Sequence, residues 1–189
     1  MNTAIAKSLP LKKHISMWLF DALDRFRKRP FDRFIMSGIG VEVGVWRGTH
    51  AANILRKPFV KMLYLVDPYQ AYNEPDKSAL IQDAFKIASE KLARVAEGRH
   101  EFILSPSVKS AEQFKDLSLD FCYIDAAHDE ASAKADIAAW FPKVRIGGLF
   151  GGHDYTPFFS GVRSAVDGFA SVNKQKLYTK NPDWWVFKQ

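Results

Sequence analysis

Apolar residues recur at three- and four-residue steps through Ile15, Leu19, Ala22, Leu23 and Phe26, which predicts a helix near the front of the chain. Pro30 predicts its end, because proline lacks an amide proton and restricts the residue before it. Beyond this piece, short apolar runs alternate with longer amphipathic stretches. The runs predict strands over Ile39 to Val45, Met62 to Val66, Glu101 to Leu104 and Leu119 to Ile124. A further strand is predicted around Leu149 to Gly151, after a Gly147-Gly148 turn. Helices are predicted over Thr49 to Arg56, Ser78 to Ala96, Val108 to Phe114, Glu130 to Phe141 and Gly161 to Val172. Lys176 to Thr179 and Trp184 to Phe187, joined by Asn181-Pro182-Asp183, read as a closing hairpin.

Strands this apolar, alternating with helices, predict a mostly parallel α/β sheet covered on both faces. The division that follows is a helical extension over residues 1–37 and one domain over residues 38–189. In such sheets ligands bind beyond the carboxyl ends of the strands, near the point where strand order switches. The polar residues that close each strand are therefore the candidates. Four are acidic: Glu42, Asp67, Asp125 and Asp154.

Composition narrows the classes. The chain of 189 residues suits one domain with its own core. The single cysteine, Cys122, excludes an internal disulfide and a thiolate metal cluster, and its apolar strand makes it a core residue. No run approaches the length of a membrane span, and no secretory leader is legible, so a cytoplasmic location without membrane contact is expected. The net charge of +6 is concentrated in the front forty residues, which hold eight bases and three acids; the remainder carries 19 bases against 18 acids. The main body is near neutral, so no nucleic-acid partner is expected and the basic front reads as a solvated face. Homo-oligomerisation is left open.

The stretch Val41-Glu42-Val43-Gly44-Val45-Trp46-Arg47-Gly48 runs from a strand into a helix. Gly44 and Gly48 permit a tight turn with close ligand approach, and the helix start beyond Gly48 offers amide protons to a carboxylate. Glu42 can accept from an ammonium group, so the pair suits an amino-acid zwitterion. The dinucleotide fingerprint is not met, because Gly38, Gly40 and Gly44 stand at the wrong spacing. Asp67, ending the second strand, is placed to accept from two ribose hydroxyls; its alternative use is a turn cap.

Two further stretches complete the set: Ile124-Asp125-Ala126-Ala127-His128, and Gly147-Gly148-Leu149-Phe150-Gly151-Gly152-His153-Asp154-Tyr155. In this order and spacing the four motifs resemble the class I S-adenosylmethionine-dependent methyltransferases, in particular the small-molecule O-methyltransferase-like branch. The resemblance covers roughly residues 38–189. It implies a Rossmann-like, doubly wound, seven-stranded sheet with an antiparallel C-terminal hairpin. It also implies methionine binding at Glu42, Gly44 and Gly48, ribose binding at Asp67, and adenine near Ser105 to Val108, with Ser107 as the contact. The chain departs from the family pattern at Val45 and Trp46, where many members have a small residue or a third glycine.

The expected reaction is methyl transfer to a hydroxyl of a small-molecule acceptor. Oxygen attacks only once its proton is lost, so Asp125, His128 and His153 are the expected catalytic groups. Asp125 and Asp154, ending adjacent strands, could share a divalent cation such as magnesium. Under the plainer alternative, His153 and Asp154 tie down a loop and His128 caps the next helix. The loop Tyr69 to Pro75 and the front helix are expected to cover the acceptor. The rival functions are a hydroxylase-like or oxidoreductase use of the fold, and a non-catalytic or nucleic-acid-binding module. Asp125-Ala126-Ala127-His128 counts against base methylation, which often shows an Asn/Asp-Pro-Pro-aromatic sequence there.

Overall fold

A computed structural model describes residues 37–70 and 78–189. The predicted front helix and the loop over residues 71–77 lie outside the described residues. Seven strands form one sheet: β1 (Gly38–Val43), β2 (Val60–Val66), β3 (His100–Ile103), β4 (Leu119–Ile124), β5 (Val144–Gly152), β6 (Tyr178–Lys180) and β7 (Asp183–Phe187). Their order is β3-β2-β1-β4-β5-β7-β6. All pairs are parallel except β5 with β7 and β6 with β7. The helices are α1 (Thr49–Leu55), α2 (Ser78–Ala96), α3 (Ser107–Ala111), α4 (Glu130–Trp140) and α5 (Ser160–Val172). This is the α/β architecture that the alternation predicted, with the switch in strand order falling between β1 and β4.

The period of two along each strand sorts side chains onto two faces. Val41, Val43, Cys122, Ile124, Phe150 and Val186 point to one face, against Ala133, Ile137 and Trp140 of α4 and Val162, Val166 and Phe169 of α5. Leu63, Leu65, Phe121 and Tyr123 point to the other, against Ile54 and Leu55 of α1 and Leu92 of α2. Burying each large apolar side chain contributes about 1.5–3 kcal/mol, so these two clusters dominate the fold's stability. Cys122 is fully buried, and burial pushes its thiol pKa up, as expected of a core residue. Trp140 and Trp184 are likewise core residues.

Most element ends shift by one to three residues from the sequence prediction, and three differences have a clear physical cause. β1 stops at Val43 rather than Val45, because the amides of Val45 and Trp46 leave the sheet to bond the Asp67 carboxylate. β5 runs through Gly147-Gly148 instead of starting after them. Leu119 pairs with Val144 and Phe121 with Leu149, so the extra residues form a bulge. The bulge stays paired on its far side, where Gly147 N donates to Lys188 O and Lys188 N to Gly148 O. α4 is capped not by His128 but by Asp129, whose carboxylate accepts from Ser132 N at 2.9 Å.

Candidate active site

The exits of β1, β2 and β4 open into a cleft of about 480 Å³, lined by Glu42, Gly44, Trp46, Asp67, Asp125 and His128 among others. Chain crossover creates it: β1 is flanked by β2 on one side and β4 on the other, so the segments leaving β2 and β4 diverge. Four of the predicted cofactor-binding and catalytic positions other than glycine therefore meet at one cleft: Glu42, Asp67, Asp125 and His128.

The glycine turn is built by packing as much as by any ligand. Gly44 has φ 83°, and a Cβ on it would lie 1.9 Å from the Asp125 carbonyl oxygen. The exit of β4 thus requires the glycine by packing, and Gly44 also lines the cleft. Gly48, at φ 67°, begins α1 and brings it against Ala88 of α2, where a Cβ would stand 3.3 Å from Ala88 Cβ. Lys91 of α2 fastens the same turn from outside, donating to Arg47 O at 2.7 Å and Thr49 Oγ1 at 2.9 Å.

Asp67 does the structural work foreseen as its alternative use. Its Oδ2 accepts from Val45 N at 3.0 Å and Trp46 N at 3.1 Å, and its Oδ1 from Tyr69 N at 2.9 Å. A carboxylate has about four lone-pair positions, so these three bonds leave about one for a further donor. Tyr69 donates its hydroxyl to Trp46 O at 2.6 Å. Burial foremost, with the charges of Asp67 and Glu42, pushes the Tyr69 phenol far above its ordinary pKa, so the hydroxyl stays a donor.

At the acid–histidine end, Asp154 joins two imidazoles. His153 Nδ1 donates to Asp154 Oδ1 at 2.8 Å, and His128 Nε2 to Asp154 Oδ2 at 2.9 Å. Burial alone would raise the Asp154 pKa. Hydrogen bonds and positive charge from His153 and His128 outweigh it and hold the carboxyl below its usual range. Asp154 itself has φ 63°, a strained backbone for a non-glycine residue. Asp125 Oδ1 lies 3.6 Å from His153 Nδ1, and one ligand atom from each of Asp125, His153 and Asp154 falls within 4.8 Å of the others. His128 is half-exposed and stacks on Phe159 at 4.3 Å.

Ser107 stands apart from this cleft. Its hydroxyl accepts from Trp140 Nε1 at 2.9 Å and hydrogen-bonds Asp136, so it ties α3 to α4. Sequence reasoning missed His50, which lines the cleft, and the fully buried Tyr123 and Asp183 linked to it. Only His50 carried a usable signal: a histidine on the inward face of the helix that follows Glu42.

Residues 41–155, more than half of the chain, match a family model described as a methyltransferase domain. No curated protein matches the chain. Among solved structures, SMU.1697c from Streptococcus mutans, in complex with SAH, superposes with TM-score 0.60 at 16% identity, over 85% of this chain and 97% of that one. The O-methyltransferase NovP gives 0.58 at 20% identity, over 94% and 78%. CalS11, a TDP-rhamnose 3′-O-methyltransferase of calicheamicin biosynthesis, gives 0.55 at 15%, over 95% and 81%. At these identities the likeness is one of fold. The match over residues 41–155 goes further and shows the family: the chain belongs to the methyltransferase-domain family.

Proposed function

We propose that this protein methylates a hydroxyl oxygen of a small molecule, with S-adenosylmethionine bound in the cleft between β1, β2 and β4. The observation that carries this reading is continuity: one cleft runs from Glu42 and Asp67 to Asp125 and His128. The likeness in fold to NovP and CalS11 supports oxygen as the acceptor atom.

The residues present fit the cofactor. Glu42 suits the ammonium, the turn ending at Gly48 suits the carboxylate, and Asp67 keeps one lone pair for the ribose. The adenine would lie toward the exit of β3, without Ser107 as its contact, since that hydroxyl is engaged by Trp140 and Asp136. When bound, the cofactor supplies a methyl on a positively charged sulfur, whose carbon–sulfur bond breaks, leaving the electron pair on sulfur, as the acceptor oxygen bonds carbon. The protein's task is alignment, exclusion of water and removal of the acceptor's proton. Asp154 accepts the proton-bearing Nε2 of His128, which fixes the tautomer and leaves Nδ1 as the basic nitrogen to take that proton. A divalent cation is also compatible, since Asp125, Asp154 and His153 would hold it and it would lower the pKa of the acceptor hydroxyl.

Calorimetry with S-adenosylhomocysteine and with NAD tests the cofactor, and transfer of labelled methyl to a panel of hydroxylated small molecules tests the reaction. Binding of NAD without S-adenosylhomocysteine would overturn the reading. Labelling of nitrogen acceptors alone would remove oxygen as the target.

A further inference from the structure

Beneath the cleft, four polar side chains from four different elements form a buried chain. Glu42 of β1 is 1% exposed and His50 of α1 is 5% exposed, and His50 Nδ1 lies 3.0 Å from Glu42 Oε1. The carboxylate only accepts, so the imidazole donates. The His50 ring rests on the Tyr123 ring with centroids 4.1 Å apart and planes tilted by 45°. Tyr123 of β4 in turn donates its hydroxyl to Asp183 Oδ1 of β7 at 3.0 Å. Tyr123 and Asp183 are fully buried.

Two carboxylates and an imidazole beside an apolar cluster are an expensive choice for stability, because burying polar groups costs free energy that their pairing only partly returns. What the chain achieves is fixity. Asp183 anchors Tyr123, Tyr123 seats the His50 ring, and His50 holds one oxygen of Glu42. Glu42 and His50 both also line the cleft. A carboxylate held this way pays no ordering cost when a ligand cation arrives, which is how a binding group is preorganised.

We infer that His50 is a positioning residue for the amino-acid end of the cofactor, holding Glu42 in the orientation that accepts the ligand's ammonium group. This rests on the reading of the cleft as the S-adenosylmethionine site. It predicts a selectivity that a merely structural role would not produce. 5′-Methylthioadenosine shares the adenosine and thioether of S-adenosylhomocysteine but lacks the amino-acid group.

The experiment measures both affinities by calorimetry in folded variants, checked by near-UV circular dichroism. His50→Phe keeps a ring against Tyr123 and removes the donor. It should weaken S-adenosylhomocysteine about tenfold and leave 5′-methylthioadenosine unchanged. His50→Asn, which retains a donor near the place of Nδ1, should restore most of the loss, and it serves as the test should His50→Phe not fold. Glu42→Gln should weaken S-adenosylhomocysteine selectively, and adding His50→Phe to it should cost little more. Equal losses for both ligands, or fully additive losses, would overturn the role of His50 alone. A selective effect absent from Glu42→Gln would overturn the ammonium placement and the inference with it. Failure of the unmodified protein to bind S-adenosylhomocysteine would overturn the cofactor reading itself.

Discussion

The Tyr69 hydroxyl is bonded to the carbonyl of Trp46 at 2.6 Å, across the gap between the exits of β2 and β1. With Asp67 holding the Trp46 amide, both backbone polar groups of Trp46 are pinned, and its φ is 50°. That left-handed conformation costs a bulky residue about 1–2 kcal/mol, and the surrounding bonds sustain it. The ring it carries is 43% exposed at the mouth of the cleft, with the Arg47 guanidinium 5.8 Å from its centroid.

Glycine would occupy this position without strain. Trp46→Gly should therefore leave stability unchanged or raise it by up to about 1 kcal/mol, relief of strain exceeding the added freedom of the unfolded chain. The same variant should bind S-adenosylhomocysteine or the acceptor more weakly, because it removes a wall of the cleft. Urea unfolding and calorimetry read the two effects. A marked fall in stability would mean that the ring packs as core.

Asp67→Ala removes three hydrogen bonds at once, those from the amides of Val45, Trp46 and Tyr69. Hydrogen bonds to charged groups contribute about 1.5–3 kcal/mol each, and solvent reaches this half-buried site, so a total loss near the lower figure is expected. Affinity for S-adenosylhomocysteine should fall as well. A variant with full stability and selectively lost affinity would show Asp67 to be a ligand group alone.

For the cluster at Asp154, manganese supplies a direct readout. One equivalent should bind the unmodified protein in calorimetry or by paramagnetic resonance, and Asp154→Asn should abolish that binding while S-adenosylhomocysteine affinity is kept. Chelation should then stop methyl transfer. Full activity after thorough demetallation, with a large loss in His128→Ala, would leave proton removal by His128 as the whole mechanism.

Asp136 gives a pH dependence with a definite sign. Burial raises its carboxyl pKa, the hydrogen bond from Ser107 opposes this, and the charge of Asp129 adds to it. A raised folded-state value means that its stability contribution is complete below the unfolded pKa and is lost as pH rises through the folded one. Asp136→Asn should consequently raise the thermal midpoint at pH 7, with the gain shrinking toward pH 4. A gain independent of pH would point to packing instead of ionisation.

The sheet was legible because buried parallel strands must be apolar throughout. Val41 with Val43, Leu63 with Leu65 and Cys122 with Ile124 mark them without ambiguity. The Gly147-Gly148 bulge was not legible, since two glycines signal a break and nothing local tells that Lys188 keeps the backbone paired. Strand-end position was enough to single out Glu42, Asp67 and Asp125, which line one cleft, and Asp154, which bonds His128 beside it. Their partners were hidden for a different reason. Asp67 binds amides, which every residue but proline possesses, and Tyr123 reaches Asp183 through contacts between distant segments.

The close approach of Gly44 to the Asp125 carbonyl ties the cleft to the folding transition. Neither the turn after β1 nor the exit of β4 is complete alone, and they come together only when the long chain between them has closed its loop. An unfolded or half-folded chain therefore offers the ligand no partial version of the cleft. Ligand binding then counts wholly toward the native state, adding about 2.7 kcal/mol of apparent stability at one hundred times Kd. Melting curves recorded across a compound library thus become a direct search for molecules that occupy the cleft.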